Sequence, residues 1–67
     1  MSVARVTEIT SSSKDSFDDA IDKGIKRASK TLEGITGAWI ADQEVLIKDN
    51  KIKEYRVKMK ITFVLKD

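Results

Sequence analysis

The stretch Lys51-Ile52-Lys53-Glu54-Tyr55-Arg56-Val57-Lys58-Met59-Lys60-Ile61-Thr62-Phe63-Val64-Leu65-Lys66 decides the architecture. From Tyr55 onward its odd positions are all apolar, whereas Glu54, Arg56, Lys58, Lys60 and Lys66 put charge on the even ones. A period of two is the signature of a strand with one buried and one wet face. Just before it stand Asp49 and Asn50, both residue types that tolerate the positive φ angles of a two-residue hairpin turn. The segment Ile35 to Lys48 is therefore expected to run back along Lys51 to Lys66 as an antiparallel partner.

Working outward, Phe17, Ala20, Ile21, Gly24, Ile25, Ala28 and Leu32 trace one apolar stripe at helical spacing. Ser16 followed by Asp19 has the spacing of an N-terminal cap, and the acids Asp18, Asp19 and Asp22 suit the positive end of the helix dipole. Lys26, Arg27 and Lys30 occupy the second half, and Gly34 stands where a left-handed C-terminal cap would fall. The small residues Ala20, Gly24 and Ala28 predict a close approach to whatever the helix covers. Upstream, Val3 to Thr10 reads as a short strand closed by Ser11-Ser12-Ser13-Lys14-Asp15. That serine run is expected to be a turn, since the glycines that let a backbone wrap a phosphate are missing. The prediction is a single α+β domain over residues 1–67, ordered β-α-β-β, with a three-stranded antiparallel sheet wrapped around one helix.

With Asp49-Asn50 as the loop, Lys48 is expected to face Lys51, Glu44 to face Tyr55, Gln43 to face Arg56 and Trp39 to face Lys60. Ala38, Ile40 and Leu46 then join the odd set under the helix. Gly37, Trp39, Ala41, Gln43, Val45 and Ile47 fall on the opposite face with Ile52, Glu54, Arg56, Lys58, Lys60 and Thr62. Strands of this length run to about 45 Å, whereas a compact globule of this size is only about 28 Å across. The hairpin must curl around the helix or project into neighbours, and the apolar residues on its uncovered face are expected to meet other copies of the chain.

Composition narrows the chemistry. The chain has 67 residues, 40% apolar and 36% charged, with no Cys, His or Pro. Disulfide staples and Cys/His zinc are excluded, which leaves self-association as the support a domain this small needs. Ser-His and Cys-His hydrolysis, thiol redox chemistry and His-ligated metal catalysis are excluded as well. The expectation is a protein that is not an enzyme. A net charge of +2 from 13 basic and 11 acidic residues implies neither a nucleic-acid nor a membrane partner. No apolar run is long enough to span a bilayer and no apolar leader follows Met1, so a cytoplasmic protein is expected.

The order strand, helix, long strand, long strand in so short a chain, with Ser11-Ser12-Ser13-Lys14-Asp15-Ser16-Phe17 before the helix, Asp42-Gln43 in the middle strand, Tyr55 early in the last and the ending Phe63-Val64-Leu65, resembles the dodecins. The resemblance implies a hollow homododecamer that stores or sequesters a flavin, FMN or riboflavin, at inter-subunit sites. It also leaves open a shell that binds metal ions or another anionic ligand such as coenzyme A. In flavin-binding members the ring stacks on a tryptophan early in the middle strand and is hydrogen-bonded by a glutamine of the last strand, chemistry that suits a planar ligand. Those two positions fall on Gly37 and Arg56 here, while Trp39 stands two residues after Gly37, about 7 Å along the strand.

Trp39, Gln43, Arg56 and Gly37 are accordingly the candidate cofactor residues. Each has a plainer alternative. Trp39 could serve subunit packing, and Gly37 could mark a bend. Arg56 could hold a flavin carbonyl or a phosphate, or pair with Glu44 or Glu54. Asp42 is the candidate ligand for a divalent cation gathered at a symmetry axis, against a solvated carboxylate. Lys58 and Lys60 with one tryptophan fall short of a single-strand nucleic-acid platform.

Overall fold

The structure, a computed structural model, describes residues 3–65. Four elements follow in the expected order: β1 (Ala4–Ser13), α1 (Phe17–Ala28), β2 (Ile35–Lys48) and β3 (Lys51–Val64). The sheet is antiparallel with order β1-β3-β2, so the strand with the cleanest alternation is the central one. Val57, Met59 and Ile61 on β3 are fully buried and form the core with Ala20, while Ile9, Phe17, Ile21 and Ile25 pack around it. The long axis of the chain measures 51 Å, as strands that outrun a compact globule require.

The helix begins where its cap predicts. Ser16 is extended and its Oγ accepts the Asp19 amide at 3.0 Å. Asp19 does not return the bond to Ser16; its carboxylate accepts the Ser13 hydroxyl at 2.6 Å and meets Lys23 at 2.9 Å. The Ser13 hydrogen bond and then Lys23 hold the Asp19 carboxyl below its usual range, and Asp19 in turn raises Lys23. The glycine on the stripe is explained by approach: a Cβ on Gly24 would sit 2.5 Å from the end of Met59 and 3.0 Å from the Ser11 Cβ.

Several expectations need correction. The serine run is the end of β1, which extends to Ser13 and is not closed at Thr10. Each serine has a separate task, because Ser11 donates to the Ala20 carbonyl at 2.7 Å, Ser12 accepts from Arg56, and buried Ser13 accepts the Asp15 and Ser16 amides. The helix stops at Ala28 with Ser29 as its right-handed C-cap, short of Gly34. Gly34 does adopt φ +74°, but it opens β2, where its carbonyl accepts the Val64 amide at 3.0 Å. The last strand ends at Val64; Lys66 lies outside the described residues.

The hairpin turn is as predicted, with φ +53° at Asp49 and +62° at Asn50. Lys48 pairs with Lys51 and Trp39 with Lys60, as expected, but the register slips in between. Irregularities at Leu46/Ile47 and Ile40/Asp42 set Glu44 opposite Arg56 and Gln43 opposite Val57, in place of Tyr55 and Arg56. Since directly paired residues share a face, the slipped segment turns over: Gln43 and Val45 move to the helix side, and Asp42, Glu44 and Leu46 to the other. A third irregularity lies between Ile35 and Gly37. The helix rests mainly on β1 and β3. Ala38 and Ile40, expected beneath it, are exposed, because placing β3 in the middle leaves β2 at an edge beyond its reach.

Candidate ligand-binding site

The face turned away from α1 is built from three-residue rows read directly from the two registers. Val6, Thr62 and Gly37 form one row, Glu8, Lys60 and Trp39 the next, then Thr10, Lys58 and Asp42, then Ser12, Arg56 and Glu44. Each of the last three rows carries one cation from β3 and one acid from a flanking strand. The face is highly charged yet has no net field to gather anions, so recognition there must come from shape and contact.

Trp39 supplies the contact. Its side chain is 49% exposed, with the Lys60 ammonium 5.6 Å from the ring centroid, a cation–π arrangement worth about 0.5–1 kcal/mol at an exposed site. In the adjoining row Gly37 leaves open space, since a Cβ there would meet no atom within 4 Å. The half-exposed indole, with Lys60 over part of its ring, thus lies beside an open patch at Gly37. Arg56 is more committed: its Nε donates to Ser12 Oγ at 3.3 Å, and its Nη1 lies 3.7 Å from Glu44 Oε1.

Three of the four candidate cofactor residues, Gly37, Trp39 and Arg56, therefore share the open face. Gln43 does not, because the register slip places it opposite Val57 on the helix side. Asp42 lies on the open face opposite Lys58, with its carboxylate accepting the Gln43 amide at 2.9 Å. Among the described residues no three Asp or Glu side chains gather as a metal site.

A cavity of about 600 Å³ lies elsewhere, between α1 and the outer edge of β1, lined by Thr7, Ile9, Ser11, Lys23, Arg27 and Leu32 among others. No sequence pattern marks it directly, although Lys23 and Arg27 border the apolar stripe one helical turn apart. It holds no aromatic plane, and Lys23 is engaged by Asp19. The aromatic surface of the molecule thus lies on the Trp39 face and not in this cavity.

One helix against one face of an antiparallel β-α-β-β sheet, with the other face and a long edge strand uncovered, defines a class of small, half-closed α+β domains. The Dodecin family model matches residues 3–66, and the chain belongs to that family. Solved relatives agree along the whole length. The dodecin from Streptomyces davaonensis is 33% identical, with TM-score 0.94 over 98% of this chain and 97% of that one. The dodecin from Streptomyces coelicolor is 29% identical, with TM-score 0.94 over 98% and 94%. A single-residue variant of the T. thermophilus dodecin is 25% identical, with TM-score 0.94 over 100% and 98%. No curated protein matches.

Proposed function

We propose that the chain assembles as a homododecamer and holds a flavin, FMN or riboflavin, between subunits, storing the cofactor without performing chemistry on it. The observation that carries this reading is the half-exposed Trp39 ring on an uncovered sheet face beside the open space at Gly37. Membership in the dodecin family supports it. Trp39 is the stacking platform, Gly37 gives clearance, and Arg56 and a Gln43 from another copy offer polar contacts to the ring edge. The cytoplasm is the compartment this role fits.

Trp39 is the only tryptophan, so its emission reports on the site alone. Titration with riboflavin and with FMN is expected to quench it and to leave a yellow, saturable complex. Unchanged emission with no retained flavin overturns the flavin reading.

A second reading, in which Arg56 stays with Ser12 and Glu44 and takes no part in a flavin site, is a dodecin shell that binds metal ions or an anionic ligand such as coenzyme A. In that case the purified protein is colourless and carries bound metal or a ligand absorbing only in the ultraviolet.

A further inference from the structure

The β2–β3 hairpin outruns the rest of the fold. β1 ends at Ser13 opposite Tyr55, so four further residues of β3, about 13 Å of strand, project to the turn past the start of the helix. At this tip Ile47 and Ile52 pair across the strands, 58% and 52% exposed. Lysines occupy the adjoining row, on the reverse face of the hairpin. Lys48 stands directly opposite Lys51, with Lys53 next along, and none of the three forms an ion pair among the described residues. Like charges face to face destabilise a sheet, and two large aliphatic side chains at an unsupported tip gain nothing from water. Both costs are relieved by an acidic surface with an apolar margin.

The chain itself carries one. Around the N-terminal half of α1 lie Asp15, Asp18 and Asp22, beside the half-buried Phe17 and Ile21. Asp15 and Asp18 form no ion pair among the described residues, and Asp22 reaches Lys26 at 3.1 Å. We infer that the hairpin tip of one copy docks on the N-terminal half of α1 of a second copy, Ile47 and Ile52 against Phe17 and Ile21, and Lys48, Lys51 and Lys53 against Asp15, Asp18 and Asp22. The inference rests on the self-assembly proposed above and names the contact that drives it. Exposed ion pairs are individually weak; here they set the register of an apolar contact and exclude wrong partners.

The test is molar mass by analytical ultracentrifugation across a dilution series, with circular dichroism as the check on folding. Reversal of the tip, Lys48→Glu with Lys51→Glu and Lys53→Glu, is expected to leave helix content unchanged and to raise the concentration for half-assembly at least tenfold. Adding Asp15→Lys, Asp18→Lys and Asp22→Lys to the same chain restores the assembly. A wild-type assembly whose mass ignores tip reversal overturns the docking but not self-association, and so does a folded six-site variant that fails to reassemble. A monomeric wild type overturns the assembly reading and the docking with it.

Discussion

The two strands of the hairpin have the same length, 14 residues, and opposite surroundings. β3 lies between two strands and beneath the helix, and it supplies Val57, Met59 and Ile61 to the core. β2 is an edge strand beside β3 and lies outside the main contacts of the helix, and its residues are exposed apart from Ile35 and Leu46. Both strands are rich in apolar side chains. Apolar content therefore reports on what a strand must eventually contact, while sheet order decides whether that contact lies within the chain. The exposed apolar residues of β2, with Trp39 and Ile40 among them, are covered by no further layer of the monomer, and surfaces of that kind are the natural material of a ligand site or a subunit interface.

The sharpest way to break this contrast is to truncate one residue of a directly paired couple, Met59 and Ile40. Met59→Ala opens a void in the core and is expected to cost about 2–5 kcal/mol, a large share of the total stability of so small a domain. Ile40→Ala is expected to leave thermal unfolding of the dilute, dissociated chain nearly unchanged and to lower the mass of the assembly. Circular dichroism melts and light scattering at several concentrations separate the two effects. Equal losses of folding stability in the dissociated chain would mean that β2 is buried within the monomer after all.

A smaller effect is expected at the junction of β1 and α1. Ser13 is buried, accepts the Asp15 amide at 2.9 Å and donates to Asp19 at 2.6 Å. Ser13→Ala removes those bonds and is expected to cost about 1 kcal/mol by chemical denaturation. Ser12→Ala, one residue away on the open face, is expected to change little, because it removes only an exposed contact to Arg56 at 3.3 Å. The adjacent serines thus repeat the contrast between the covered and uncovered faces.

How much of this was legible beforehand follows the same division. Elements with a local cause were visible: the alternation of β3, the Asp49-Asn50 turn, the Ser16 cap and the small residues of the helix each act through neighbours in sequence. Sheet order and register slips have no local signature. A bulge is one extra residue that turns every following side chain over, and nothing in Ala41 or Lys53 marks the slips at Ile40/Asp42 and Leu46/Ile47. For that reason simple alternation puts Trp39 and Arg56 on the face they occupy and Gln43 on the face opposite to its own. The helix ends before the stripe does because Leu32 continues the apolar spacing, while Lys30 and Thr31 make turn-type bonds to Arg27 and Ala28 that the stripe alone does not distinguish from helix.

The smallest effect is electrostatic and again separates the faces. On the covered side the Asp19 carboxyl is held below its usual value of 3.8 by the Ser13 hydroxyl first and by Lys23 second. A depressed carboxyl contributes stability above its unfolded-state pKa, and the contribution fades as pH falls through the folded-state value, below about 4. Lys23 is raised above 10.5 by the same partner, so its contribution is full below that pH and is lost as pH rises through the raised value. Asp19→Asn is therefore expected to flatten part of the loss of stability below pH 4 and part of the loss above pH 10.5, as read from melting temperature against pH. Glu44→Gln removes the open-face partner of Arg56, a 3.7 Å contact between side chains 59% and 38% exposed, and is expected to shift stability by about 0.5 kcal/mol or less. A Glu44→Gln variant whose assembly weakens while the melting of its dissociated chain holds would place the Arg56 row at an interface, and would show that the charges of the open face act between subunits.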